Sequence, residues 1–191
     1  ARHDLETIVR RLEKHGRVDL VGKSFGIIKF TVRGRTYDVA LPRTDRAVAA
    51  VLRGHKDILV AADPDLPVEK DLERRDFRTN SMALRLRDGL LIDPFEGRKD
   101  TLAKRIRLTD PAAFPEDPLR VLRVARFASV LGFKVDPAVY PLARSVDLAG
   151  LSPERVNDEM FKVLLRSPRP SVGLEEMFRL GVLDRWFPEL Q

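Results

Sequence analysis

Glu116-Asp117-Pro118-Leu119-Arg120-Val121-Leu122-Arg123-Val124-Ala125-Arg126-Phe127 decides how the rest of the chain is read. Pro118 suits the first position of a helix, where its missing N–H costs nothing, and Asp117 is an N-cap candidate in front of it. The spacing predicts a helix over residues 118–131. Leu119, Val121, Leu122, Val124, Ala125, Phe127, Ala128, Val130 and Leu131 fill nearly every face, the pattern of a buried helix. Arg120, Arg123 and Arg126 nevertheless recur every third residue along one arc. Guanidiniums on so apolar a helix need acceptors or an anion. Two readings follow: the arginines reach water or acidic neighbours, or they surround an anionic ligand.

Working outward toward the C-terminus, helical spacing continues over 137–146, 153–165 and 172–180, with a short turn at 184–186. Ser152-Pro153-Glu154-Arg155 carries N-cap chemistry, and Arg155 with Glu159 is an i,i+4 pair candidate. Toward the N-terminus the pattern is mixed. Residues 4–15 read as a helix with Leu5, Ile8, Val9 and Leu12 on its apolar face, ended by Gly16. Residues 18–21 are a short strand candidate, and Gly22-Lys23-Ser24-Phe25-Gly26 a turn. Residues 27–33 and 36–41 form an expected antiparallel pair joined at Gly34-Arg35. Residues 42–72 read as a long connection with one or two helical turns at 47–52. Residues 84–87 and 90–93 suggest a hairpin around Asp88-Gly89, residues 98–104 a helix, and 106–108 a last strand. The fold expected is α+β, with a mostly antiparallel sheet in residues 1–109 and only helices in 110–191.

Composition narrows the chemistry. The net charge of +6 favours an anionic partner such as nucleic acid or nucleotide. The absence of cysteine excludes disulfides, thiolate nucleophiles and Cys-ligated zinc. His3, His15 and His55 lack metal-ligand spacing. Catalysis in such a chain leans on carboxylates, arginines and a hard metal ion. No run is apolar enough for a membrane span or a signal peptide, so no membrane partner is expected and a cytoplasmic location is the default.

With these residues in view, the chain resembles the class II tRNA nucleotidyltransferases (CCA-adding enzymes) and the bacterial poly(A) polymerases, within the DNA polymerase β-like nucleotidyltransferase superfamily. Val21-Gly22-Lys23-Ser24-Phe25-Gly26 with Tyr37-Asp38-Val39-Ala40-Leu41-Pro42-Arg43 resembles the sheet edge carrying the third superfamily carboxylate. Arg74-Arg75-Asp76-Phe77 with Asn80 resembles the ribose-and-phosphate motif. Asp93-Pro94-Phe95 with Gly97 and Asp100 resembles the hinge motif between head and neck. Glu116-Asp117-Pro118-Leu119-Arg120 resembles the base-selecting motif, and Glu154-Arg155 with Glu159 the neck-stabilising motif. Single motifs are weak signals; several in order are specific. The resemblance implies an incomplete nucleotidyltransferase head (1–109) followed by an all-helical neck (110–191). It implies template-independent addition of C and/or A to a tRNA 3′ end from CTP and ATP with Mg2+. The 3′ hydroxyl attacks the α-phosphate in line and pyrophosphate leaves.

Asp117 and Arg120 are i,i+3 at a helix start, so their side chains can sit side by side. A carboxylate accepts from an exocyclic amine and a guanidinium donates to a ring nitrogen. Cytosine and adenine present that order of groups, whereas uracil and guanine invert it. A mismatched edge leaves buried groups unpaired at roughly 1–3 kcal/mol each. The alternative for this pair is an N-cap with an intrahelical ion pair. The resemblance further implies Asp38 as a catalytic carboxylate, Arg75 on the triphosphate, Asp76 on the ribose hydroxyls and Asn80 in support. Arg123 and Arg126 are assigned to hold phosphate or to buttress Asp117. For Asp38 an exposed strand position is the plain alternative.

The chain departs from the family pattern in places. Arg78-Thr79-Asn80-Ser81 replaces the usual residues after the phenylalanine, and Glu96 stands where a glycine is common. A glycine-rich turn and the Asp-x-Asp pair, whose two aspartates hold the magnesium ions, precede the matched region in the family, so the chain is read as a fragment that is inactive alone. The other readings are a poly(A) polymerase, the same chemistry on an RNA other than tRNA, and a non-catalytic nucleotide- or RNA-binding module.

Overall fold

In a computed structural model, residues 3–21, 27–47 and 58–190 are described. They fall into two compact units: one of Ala1–Arg46 and Ile58–Asp71, the other of Leu72–Gln191 with Ala47–Asp57. The expected turn at 22–26 lies outside the described residues, as do the expected helical turns at 47–52 apart from Ala47, which ends a strand.

The first unit begins with α1 (Leu5–Leu12), capped by Asp4, whose carboxylate accepts from the Thr7 amide at 2.7 Å. That contact holds the Asp4 carboxyl below its ordinary range. Strands β1 (Arg17–Val21), β2 (Ile27–Val32) and β3 (Arg35–Ala40) follow in an antiparallel sheet of order β1-β2-β3. Ile28 is buried, with Leu20 and Val39 as its ladder partners. The β2–β3 turn lies at Arg33-Gly34, one position before the expected joint. Both residues have positive φ (49° and 74°), as a two-residue hairpin matched to strand twist requires. Residues 42–72 are not the expected loop. They hold β4 (Arg43–Ala47) paired with β5 (Ile58–Ala62), then α2 (Val68–Glu73). The polar sequence Arg43-Thr44-Asp45-Arg46-Ala47 carries no apolar alternation, so pairing with β5 rather than pattern makes it a strand.

The second unit opens with a hairpin, β6 (Ala83–Arg85) and β7 (Leu90–Ile92). The turn between them has four residues, 86–89, rather than two: Gly89 takes φ 72°, and Asp88 accepts from Arg85 Nε at 2.9 Å. Next come α3 (Gly97–Leu102), β8 (Arg105–Ile106), α4 (Leu119–Leu131), β9 (Lys134–Val135), α5 (Val139–Arg144), α6 (Pro153–Arg166), α7 (Pro170–Arg179) and α8 (Val182–Trp186). The expectation of helices only after residue 109 misses β9, which pairs in parallel with β8. A two-residue strand is too short to leave a periodic signal.

Helix α4 is the axis of this unit and packs against α6 and α7. Val121, Leu122, Val124 and Ala125 are fully buried, each larger side chain contributing about 1.5–3 kcal/mol of apolar burial. Gly173 of α7 sits so close that an added Cβ would meet Val163 Cγ1 at 2.4 Å. The change of pattern at residue 109 is not a boundary in contacts. Phe77 bridges Leu108, the Thr109 amide donates to the Asp76 carbonyl at 3.1 Å, and the Phe77 ring meets Phe127 edge-on at 5.2 Å. These contacts join residues 72–109 to the helices; the division in contacts falls within α2, between Asp71 and Leu72.

Candidate nucleotide site

Helix α4 begins at Leu119 with Pro118 as its cap residue, so Asp117 stands one place before the position the sequence suggests. Its carboxylate still serves the helix start, accepting from the Leu119 amide at 3.2 Å. Its main partner comes from another helix. Arg155 Nη2, at the beginning of α6, lies 3.0 and 3.2 Å from the two Asp117 oxygens. The Ser152 hydroxyl caps α6 by accepting from the Arg155 amide at 3.4 Å and so fixes where Arg155 starts.

Arg120 does not pair with Asp117. Its Nη1 donates to the Ala113 carbonyl at 2.5 Å and its Nη2 to the Arg74 carbonyl at 2.6 Å. With 9% of its surface exposed, this guanidinium meets the requirement for buried charge through two main-chain acceptors. The expected side-by-side Asp117–Arg120 pair is thus replaced by two anchored groups one helical turn apart.

Asp76 is buried and fully engaged. One oxygen accepts from its neighbour's Phe77 amide at 2.8 Å and from Asn80 Nδ2 at 2.9 Å. The other receives Arg123 Nε at 2.6 Å and Nη2 at 2.5 Å, a forked pair. Arg75 Nη1 donates to the Asn80 carbonyl at 3.1 Å. Arg126 reaches Glu159 of α6 at 2.5 Å. Glu159, 2% exposed, also accepts from Lys162 at 3.0 Å. The Arg126 guanidinium lies 4.4 Å from the Phe127 ring centre.

Arg123 and Arg126 therefore neither buttress Asp117 nor stand open to a phosphate: each has a carboxylate of its own. The expected i,i+4 pair of Arg155 with Glu159 is absent, because both residues turn to partners at α4. Nothing in a single sequence marks these crossings between helices. The one available signal is that Arg123 and Arg126 have no acid three or four residues away, so their partners must come from elsewhere.

Asp38 belongs to the first unit. It is exposed on β3, the edge strand, opposite Lys29 in the ladder, rather than turned inward. Arg78 joins a different cluster: its Nε donates to the Leu108 carbonyl at 3.1 Å, and its Nη1 is 3.8 Å from Glu96. Glu96 holds φ 59°, the left-handed conformation that favours glycine. Asp93 starts α3 by accepting from the Gly97 and Arg98 amides at 2.6 and 2.9 Å. Asp100, fully buried, is paired with Arg107. That contact raises the Arg107 pKa above its ordinary value. Among the described residues no three carboxylates or histidines gather as a metal site would require.

This geometry can be set beside known proteins. A family model described as "Poly A polymerase head domain" matches residues 3–107. Another, described as "Probable RNA and SrmB- binding site of polymerase A", matches residues 132–191. A "Multifunctional CCA protein" from Methylococcus capsulatus is 41% identical over 178 residues, covering 90% of this chain and 40% of that protein. Among solved structures, the Bacillus stearothermophilus CCA-adding enzyme in complex with CTP aligns at 31% identity and a TM-score of 0.72, over 88% of this chain and 40% of that one. The Thermotoga maritima CCA-adding enzyme complexed with tRNA_CCA aligns at 26% identity and a TM-score of 0.73, over 97% of this chain and 42% of that one. The chain spans about two fifths of the length of the curated relatives it matches.

Proposed function

This chain belongs to the poly(A) polymerase head-domain family, and from that premise we propose that it is the nucleotide-selecting part of a template-independent tRNA 3′-terminal nucleotidyltransferase that adds C and/or A from CTP and ATP. By motif order residues up to 109 are assigned to its head and residues 110–191 to its neck, although residues 72–109 share a compact unit with the helices. The observation that carries the proposal is the state of Asp117. Arg155 and the Leu119 amide hold its carboxylate in place with three hydrogen bonds, and an ionised carboxylate has room for about four. Capacity remains for one exocyclic amine. Arg120 uses Nη1 and Nη2 on carbonyls, and Nε–H remains among its five donors. An amine-accepting carboxylate and an amidine donor, both anchored, match the edges of cytosine and adenine and leave uracil and guanine mispaired.

Arg123, Asp76, Asn80 and Arg75 form one hydrogen-bonded chain from α4 to residues 75–80. In this reading Asp76, whose acceptor positions are taken by Phe77, Asn80 and Arg123, meets the ribose hydroxyls by exchanging one of these donors, and Arg75 meets the triphosphate. Arg123 holds Asp76 in position, and Arg126 fixes α4 against α6. The described residues do not themselves form a magnesium site. Asp38, in the first unit, is the catalytic carboxylate of this reading. A tRNA 3′ end is the acceptor in this reading, in keeping with the relatives' names. The neighbour solved with CTP supports this reading over that of a poly(A) polymerase. No helix among the described residues is long and apolar enough to cross a membrane, and a cytoplasmic site of action is part of the proposal.

The test is a calorimetric titration of the chain with ATP, CTP, GTP and UTP, repeated with Asp117→Ala. Tighter binding of ATP and CTP by about tenfold or more, lost in the variant, is expected from one correctly paired group. Equal binding of all four by the unaltered chain would overturn the reading.

A further inference from the structure

The two-residue parallel pair β8–β9 sets Arg105 directly beside Lys134. Both are exposed, and Lys104, also exposed, precedes Arg105 with φ 51°, its carbonyl accepting from the Lys134 amide at 2.8 Å. Like charges at facing ladder positions oppose pairing rather than support it. Among the described residues none of the three has an ion-pair partner. The arginines of the nucleotide site behave differently, each being matched to an acceptor. Strand alternation puts Arg107 on the same side as Arg105, and Asp136 on the same side as Lys134, with Ile106 turned into the core.

Arg107 and Asp136 then lead into a cleft of about 160 Å³, shared with Arg78, Leu108, Pro111 and Val139. Asp136 is the one carboxylate on its lining and accepts from the Ala138 amide at 3.1 Å, while Arg107 is paired with the buried Asp100. Lys104, Arg105 and Lys134 therefore form one contiguous group of exposed cations without an ion pair among the described residues.

The geometry points to this ridge as a phosphate-backbone contact for RNA, distinct from the nucleotide site at Asp117. The inference rests on the proposed RNA-modifying function for its choice of polyanion. Its chemistry is that of sequence-independent phosphate contacts: exposed cations of fixed spacing, without a base-reading group among them. The exposed lysine and arginine heads release counterions when they meet phosphates, so affinity should fall steeply with salt.

The experiment measures binding of a fluorescein-labelled tRNA transcript to the chain by anisotropy from 50 to 300 mM KCl. The unaltered chain is compared with K104Q/R105Q/K134Q. A control, R166Q/R169Q/R185Q, removes the same charge from other exposed positions of this unit. The ridge variant should bind at least tenfold more weakly at the lowest salt. Its log–log salt slope should be shallower by roughly two to three, near one for each phosphate no longer neutralised. The control should change the slope by less than one, and CTP binding by the ridge variant should be unaltered. Absence of tRNA binding by the unaltered chain, or equal losses in the two variants, overturns the inference. Because CTP selectivity is read separately, its retention alongside either result would leave the nucleotide-site proposal standing.

Discussion

Replacing Arg126 by methionine should expose how much of the arginine arc is structural. Glu159 accepts from Arg126 and Lys162 while only 2% exposed, and the Arg126 side chain is 18% exposed. Removing one partner of a buried ion pair costs about 3–5 kcal/mol, because the other charge stays buried. Lys162 remains 3.0 Å from one Glu159 oxygen, so the expected loss is smaller, about 2–3 kcal/mol. For a chain of this size that corresponds to a fall in Tm of roughly 4–12 °C. The sole tryptophan, Trp186, lies in the same unit as the pair. Its fluorescence in urea therefore reads the relevant transition. The double variant Arg126→Met/Glu159→Leu replaces the pair by apolar groups and should recover to within about 1 kcal/mol of the unaltered chain. CTP affinity should change little in either variant once folded. A loss below about 0.5 kcal/mol in the single variant, or a collapse of CTP binding without loss of stability, would refute the structural role and return Arg126 to the phosphate.

Asp76→Asn removes the ionic acceptor of Arg123; urea unfolding should show a loss of about 2 kcal/mol, with calorimetry showing CTP bound several-fold more weakly. Asn80→Ala, which leaves the Asp76–Arg123 pair in place, should cost less than half as much in the same two assays. Burial, and then donation to Glu176 at 2.8 Å, holds the Tyr140 phenol above its usual 10.0. Its stabilisation is complete below pH about 10 and fades as pH rises toward the higher folded value, so the extra fall in Tm between pH 10 and 11 should vanish in Tyr140→Phe. Gly173→Ala forces a methyl against Val163 and Ser129 and should lower stability by about 1–3 kcal/mol in a urea melt.

Helix α4 was legible because an apolar surface on every face has one economical explanation, burial between neighbouring helices. The hairpin of β2 and β3 was legible from alternation around a glycine. Strand β4 was not, since its polar residues have no period of their own and are extended only by pairing with β5. Strand β9 was too short to contribute a pattern. Motif order carried the candidate site residues into view, and in the fold Arg123 ties α4 to Asp76 and, through it, to Asn80. Partner choice was another matter. The sequence alone suggested Arg155 for Glu159, and Arg123 for a phosphate or for Asp117. In the fold, Arg155 meets Asp117, Arg126 meets Glu159 and Arg123 meets Asp76. Each of these contacts joins residues more than thirty positions apart, and their geometry depends on how α4, α6 and the 74–80 segment pack.

The most direct test of base selection by Asp117 is a thermodynamic cycle between that carboxylate and the cytosine amine. CTP and its N4,N4-dimethyl analogue, which lacks the donor, are titrated into the unaltered chain and into Asp117→Ala. If the carboxylate accepts from the amine, the unaltered chain should bind the analogue roughly tenfold or more weakly than CTP, as expected for a hydrogen bond to a charged group. The variant should bind the two alike. An equal loss in both proteins would mean that the analogue's methyl groups are rejected elsewhere, and would contradict the assignment of Asp117 as the base-reading group.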